Sequence, residues 1–380
     1  MRGVIACLVS MCCGLSVWTA AADVVFNGDI QYRLEHNYYR KNANKASYYT
    51  SGDYTNKYAW NLFIKANPTD KLLLGVRFCN PMGYNMDVIT DNNKTLLSNP
   101  LSVAEFYLKW SPAAFFSVSA GIIPVTETTV RDLTIFEPNG YLNPNGFIAI
   151  GQSPWAVYMN NSLKGVDLAF AIASSKQFSI GADCIYAIAS EYTPPKEDTT
   201  TALMAELGKN QYRVFLSVPM DFMDKMISAR PEFSMRANVY RSADAAKADH
   251  SYSGGLDVGA KPVKELGLKA GFAYGGYSNA AVADAPTHPD TMPTGMQINA
   301  GGSYALPFMS VLLDYSFGMR GDDKAVTKVA QFLSFWDLKF PIPITRVTLI
   351  PRVRAWLYTN DQNDRMKIWV RPEINLKAGF

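Results

Sequence analysis

The stretch Lys367-Ile368-Trp369-Val370-Arg371-Pro372-Glu373-Ile374-Asn375-Leu376-Lys377-Ala378-Gly379-Phe380 alternates from end to end. Ile368, Val370, Pro372, Ile374, Leu376, Ala378 and Phe380 fall on one face. Lys367, Arg371, Glu373, Asn375 and Lys377 fall on the other. Successive side chains of an extended strand point to opposite faces, so this segment reads as a strand with one apolar and one charged face. The same period opens the chain. Phe26, Gly28, Ile30, Tyr32 and Leu34 alternate with Asn27, Asp29, Gln31, Arg33 and Glu35.

Between these ends the pattern repeats without a helix. Strand segments fall near 24–38, 57–66, 71–80, 101–110, 115–123, 161–172, 177–189, 211–219, 229–242, 251–261, 266–277, 296–306, 308–320, 329–340, 344–358 and 366–380. Short turns such as 67–70, 111–114, 173–176, 262–265 and 341–343 alternate with longer polar stretches at 39–56, 81–100, 124–160, 190–210, 278–295 and 359–365. Short turns at one end and long loops at the other belong to a transmembrane antiparallel β-barrel. Sixteen strands, an even number, place both termini at the short-turn end. Residues 201–207 are assigned to a loop on that parity. Tyr38, Tyr58, Trp60, Trp110, Tyr186, Tyr212, Tyr240, Tyr277, Trp336, Trp356 and Tyr358 lie near strand ends, where a membrane barrel carries aromatic girdles.

Composition agrees. The chain is 48% hydrophobic and 13% aromatic but only 18% charged, below the roughly 25% of soluble domains. That excludes a disordered chain. The mean hydropathy of −0.05 and the lack of long apolar runs argue against a helical membrane protein. A net charge of +3 gives no reason to expect nucleic acid. Residues 1–22 read as a signal peptide: Arg2, an apolar run from Val4 to Val17, and Ala20-Ala21-Ala22 before Asp23. A lipoprotein signal is rejected, because Met11 before Cys12 is too bulky. Cys79 and Cys184 remain after cleavage, on opposite faces of their strands, and are expected to be free.

The C-terminal strand ending in Phe380, together with the export signal, resembles Gram-negative outer-membrane β-barrels; size and strand count are similar to those of porins. The resemblance implies outer-membrane lipid around the barrel. It also implies a membrane-insertion signal at Phe380, read by the assembly machinery. Porins commonly form homotrimers, although no interface signal is visible here. Residues 23–380 would then be one barrel domain.

Parity sets the lining. The inward acids are Asp29, Glu35, Glu105, Asp167, Asp183, Glu232, Asp257, Asp314, Asp337 and Glu373. The inward bases are Arg33, Lys57, Lys65, Arg77, Lys109, Arg213, Arg236, Lys261, Lys269, Arg320, Lys339, Arg346, Arg352, Arg354, Lys367, Arg371 and Lys377. Closure makes the first, fifteenth and sixteenth strands neighbours. It gathers Arg33, Arg346, Arg352, Arg354, Lys367 and Arg371 into a basic wall that would raise anion concentration nearby. In porins the third long loop folds inward. Here that loop is 124–160, with Glu127, Asp132 and Glu137 and the single base Arg131. The expected function is a water-filled channel for passive diffusion of small hydrophilic solutes, with a bias toward anions. A substrate-specific channel and a structural or adhesive surface barrel are the alternatives. His36, His250 and His288 stand beside no nucleophile motif, so no enzyme is expected. Cys and His lack metal-ligand spacing, and no cofactor is expected. Gly254-Gly255, Gly275-Gly276 and Gly301-Gly302 fall within strands, where they are expected to ease barrel curvature.

Overall fold

The computed structural model describes residues 23–42, 48–79, 87–88, 102–126, 128–131, 162–175, 177–188, 212–240, 248–277, 294–320, 329–343, 345–360 and 366–380. These residues form a closed antiparallel barrel of sixteen strands. The first eight are β1 (Asp23–Asn42), β2 (Tyr48–Thr69), β3 (Leu72–Cys79, continued at Asp87–Val88), β4 (Ser102–Ala113), β5 (Phe116–Pro124), β6 (Ser162–Ser174), β7 (Phe178–Ile188) and β8 (Tyr212–Ser217, continued past Pro219 by Met220–Phe222). The second eight are β9 (Ile227–Tyr240), β10 (Ala248–Val263), β11 (Leu266–Tyr277), β12 (Thr294–Ala305), β13 (Ser310–Arg320), β14 (Val329–Pro341), β15 (Val347–Asn360) and β16 (Met366–Gly379). Each strand read from the sequence has its counterpart. The main difference is length: β2 begins at Tyr48 and pairs with β1 as far as Lys41, inside a stretch expected to be loop. Residues 1–22, expected to be a signal peptide, lie outside the described residues.

The two faces are sorted in the reverse of a water-soluble protein, where charged side chains are the exposed ones. On β15 and β16, Val353 is 42% and Ile374 51% exposed, whereas Arg352 and Glu373 are 9% and 3% exposed. The same inversion holds elsewhere: Leu256 and Val258 stand outside with Asp257 between them, and Leu313 and Tyr315 flank buried Asp314. In hydrocarbon such an outer surface is stable only if every backbone N–H and C=O is paired, which requires closure. Closure is made between β1 and β16, in a register running from Asp29 opposite Gly379 to Asn42 opposite Met366.

Below that register the seam ends in a reciprocal pair. The Gly28 amide donates to the Phe380 carbonyl, and the Phe380 amide to that of Gly28, each at 3.0 Å. The Phe380 ring lies over Gly28 in the space a side chain there would occupy, an aromatic ring covering a strand glycine. Further exposed Phe residues, Phe26, Phe115, Phe170, Phe178, Phe222 and Phe308, lie close to the short-turn end. The Tyr and Trp positions read from the sequence omitted this Phe-rich rim.

Cys79 shares the inner face with Arg77, Cys184 lies next to outward Tyr186, and neither forms a disulfide. A one-residue irregularity beside Ala104 changes the alternation on β4. Arg77 pairs with Glu105 and Phe78 with Val103, so Glu105 turns inward while Val103 faces out.

Replacing Gly28 with Val would force the Phe380 ring and the Asn61 carbonyl apart from the seam. The expected cost is about 1–3 kcal/mol. It should appear as a lower temperature for the loss of the fast-migrating folded band in unboiled gel samples.

Candidate functional site

The inner wall across the seam is built on one carboxylate. Asp337 on β14, Arg352 on β15, Glu373 on β16 and Glu35 on β1 sit side by side in the ladder. Glu35 and Glu373 are directly opposite, an arrangement that repels. Arginines from three strands close around the pair. Arg371 Nε lies 2.7 Å from Glu373, and its Nη1 lies 3.5 Å from Glu35. Arg33 Nε lies 3.3 Å from Glu373, and its Nη1 lies 3.7 Å from Glu35. Arg354 Nε approaches Glu373 to 2.9 Å. Arg352 donates to both Asp337 oxygens, at 2.6 and 2.8 Å, in the fork geometry that suits a guanidinium. Asn375 completes the cluster by accepting from Arg33 Nε at 2.8 Å. Every one of these charged side chains is buried.

The structure therefore brings together four of the six residues of the expected basic wall: Arg33, Arg352, Arg354 and Arg371. It does not bring Arg346. That residue was read as part of the fifteenth strand, but β15 begins at Val347, and Arg346 is an exposed turn residue whose carbonyl accepts from the Gly379 amide. The side chain of Lys367 lies outside the described residues; its backbone pairs with Lys41 and Tyr358. The sequence had placed Glu35, Asp337 and Glu373 on the inner face but not among the arginines. Parity gives the face, whereas the partners depend on strand register, which parity leaves open.

The second part of the lining is the segment that follows β5. Val125, Thr126 and Thr128–Arg131 lie within the barrel, with a helical turn beginning at Thr129–Arg131. Val125 packs with Tyr107, Ile123, Ile185 and Phe215, an apolar cluster inside the barrel that alternation did not foretell. Beyond it the segment is pinned to the inner faces of β9–β12. Arg131 Nε meets Glu232 at 2.6 Å, and Thr128 Oγ1 donates to the other oxygen of the same carboxylate at 2.5 Å. The Thr129 amide and hydroxyl both donate to Asp257. Asn299 donates to Thr129 Oγ1 at 3.2 Å. Phe215 lies between two guanidiniums, Arg131 at 5.5 Å and Arg213 at 5.8 Å from its ring centre, within range for cation–π attraction.

Glycines make the seat. A Cβ on Gly271 would occupy the position of Thr129 Oγ1, and one on Gly255 would press on Val130. Gly301 lets the Lys269 side chain pass to Asp314, two strands away, where the ion pair closes at 2.9 Å. Gly255 and Gly301, expected to serve curvature, thus clear space for specific side chains. Glu127, Asp132 and Glu137 lie outside the described residues. Arg131, Thr128 and Thr129 anchor the segment; only Arg131 stood out in the sequence.

A closed barrel of sixteen strands, apolar outside and ionised inside, with a segment after β5 laid against the inner wall, is the architecture of an outer-membrane porin. Solved porin structures share it. The chain is 12% identical to the outer-membrane channel DcaP of Acinetobacter baumannii, with a TM-score of 0.57 over 95% of this chain and 98% of that one. It is 12% identical to an anion-selective porin from Comamonas acidovorans, with a TM-score of 0.53 over 95% and 100%. OmpT of Vibrio cholerae, an outer-membrane protein described in a trimer form, is 12% identical at a TM-score of 0.50 over 95% and 100%. At these identities the likeness is one of fold. The sequence matches no protein-family model and no curated protein.

Replacing Glu373 with Ala leaves Arg33, Arg354 and Arg371 facing one another without their shared acceptor. Breaking a buried charge cluster in this way costs about 3–5 kcal/mol. The variant should lose its folded gel mobility at a markedly lower denaturant concentration than the parent.

Proposed function

We propose that this chain is an outer-membrane porin. It passes small hydrophilic solutes by passive diffusion through a water-filled lumen, with a bias toward anions. The observation that carries the reading is the inward orientation of charged side chains around a closed sixteen-strand ring. Eight strands can be plugged by their own side chains, whereas sixteen leave room for water. Transport has no chemical step. Width and lining charge decide what passes.

In this reading the loop 124–160 narrows the lumen, and its anchored root, Thr128–Arg131, fixes where the narrowing begins. Glu127, Asp132 and Glu137 would stand on this loop across the lumen from the arginines of the seam. The bias toward anions draws on the excess of inward bases and on the likeness in fold to the anion-selective porin of Comamonas acidovorans. Export would follow from the signal peptide 1–22. Insertion by the assembly machinery would follow from the strand ending in Phe380. A homotrimer fits the trimer form of one structure of the same fold.

Deleting residues 132–145 tests the constriction in planar bilayers. Single-channel conductance should rise well above that of the parent; an unchanged value would remove the loop from the pore.

A further inference from the structure

The inner face separates its bases by type and depth. Arg33, Arg352, Arg354 and Arg371 lie within the wall, buried, and share their charge with Glu35, Asp337 and Glu373. Arg77 is likewise buried against Glu105 at 3.1 Å. The lysines are elsewhere. Lys65 on β2, Lys109 on β4, Lys261 on β10, Lys269 on β11, Lys339 on β14 and Lys377 on β16 have inward parity. All six lie within five residues of a short turn or of the chain end. They therefore ring the short-turn mouth of the lumen.

Exposure divides the two sets further. Lys269 and Lys377 are paired, to Asp314 at 2.9 Å and Asp29 at 3.5 Å, yet their side chains remain 51% and 44% exposed. Lys65 and Lys261 are exposed, and Lys109 and Lys339 are half-buried. These four form no ion pair within 4.0 Å among the described residues. Asp183 on β7 and Asp221 on β8 stand opposite Ser217 and Ser179, and each accepts that serine's hydroxyl. Further acids stand at this end: Asp23 at the start of β1, and Asp70, Asp224 and Glu265 in the short turns, each of these three next to a lysine, Lys71, Lys225 or Lys264. On the inner faces of β2, β4, β10 and β14 at this mouth the charged residues are Lys65, Lys109, Lys261 and Lys339.

We infer that the lysine ring at the short-turn mouth, and not the arginine cluster of the seam, is the anion-selecting element of this channel. The inference rests on the porin reading above and names the residues that would set its selectivity. An ion in the lumen responds to charge that is accessible and uncompensated. The seam guanidiniums are neither, because carboxylates within 2.6–3.8 Å neutralise most of their field. Ammonium groups standing in water at a mouth raise the local anion concentration over a Debye length, about 10 Å at 0.1 M salt and about 3 Å at 1 M. Because the ring occupies one mouth only, its effect depends on which side holds the dilute salt. Dilute salt at the short-turn side leaves the ring unscreened, and anion preference is then greatest.

The test uses the full mature chain in planar bilayers, with a potassium chloride gradient imposed first from one side and then from the other. The parent should show a larger anion-to-cation permeability ratio when the dilute side faces the short turns. A variant with Lys65→Gln, Lys109→Gln, Lys261→Gln and Lys339→Gln should lower that ratio about two- to three-fold and remove its dependence on gradient direction. Its conductance at 1 M salt should stay close to the parent's. The same four positions changed to Arg should restore both properties. These side chains are exposed or half-buried, so the substitutions sit where folding is little affected. A glutamine variant that conducts with the parent's ratio in both directions would overturn the inference and leave the porin reading intact. A folded parent that never conducts would overturn both.

Discussion

The structure depends on one constraint: in lipid, no backbone hydrogen-bonding group of a strand can go unpaired. Closure of β1 on β16 meets that constraint and fixes everything inside. Once Asp29 stands opposite Gly379 the remaining register follows, and it sets Glu35 against Glu373. Two carboxylates facing each other across the closing seam would open it. Arg33, Arg371 and Arg354 hold them together, and Arg352 ties the group to Asp337 on the next strand. The arginine-rich wall is in this sense a structural component of closure. A planar, always-charged fork that donates to two acceptors at once suits the position better than lysine would.

The inserted segment follows a second rule. A polypeptide laid across a polar lumen must satisfy its own donors there. Thr128, Thr129 and Arg131 do so on two carboxylates, Glu232 and Asp257, while Val125 sits in an apolar cluster on the opposite flank. One flank is held by hydrogen bonds and the other by apolar packing, with glycines on β10 and β11 giving the backbone room to approach. The lumen is consequently filled toward β4–β12.

The fold was legible in the sequence because alternation is a local signal. From Phe26 to Glu35 and from Lys367 to Phe380, each residue declares its own face without reference to any other strand. The same logic placed Glu35, Asp337, Glu373, Glu232 and Asp257 inward. What was not legible depends on pairs. That Glu35 meets Glu373, that Lys269 crosses Gly301 to Asp314, and that Thr129 needs Gly271 beneath it are facts of register and of tertiary approach. The error at Arg346 has the same origin, since a strand end is decided by where its partner stops pairing. Ile185 and Phe215 carry the opposite lesson. They are apolar residues on an inner face, and only the arriving segment explains why they belong there.

Arginine inside the wall and lysine at the mouth divide two tasks that net charge conceals. The first holds the ring shut, and the second meets the water. What joins them is the claim that water fills the space between. Liposome swelling tests that most directly. The refolded chain is placed in vesicles, which are then diluted into uncharged sugars of increasing size. A channel of this kind admits small sugars rapidly and larger ones progressively more slowly. Vesicles holding the folded barrel that swell no faster than protein-free vesicles, for every sugar, would contradict it.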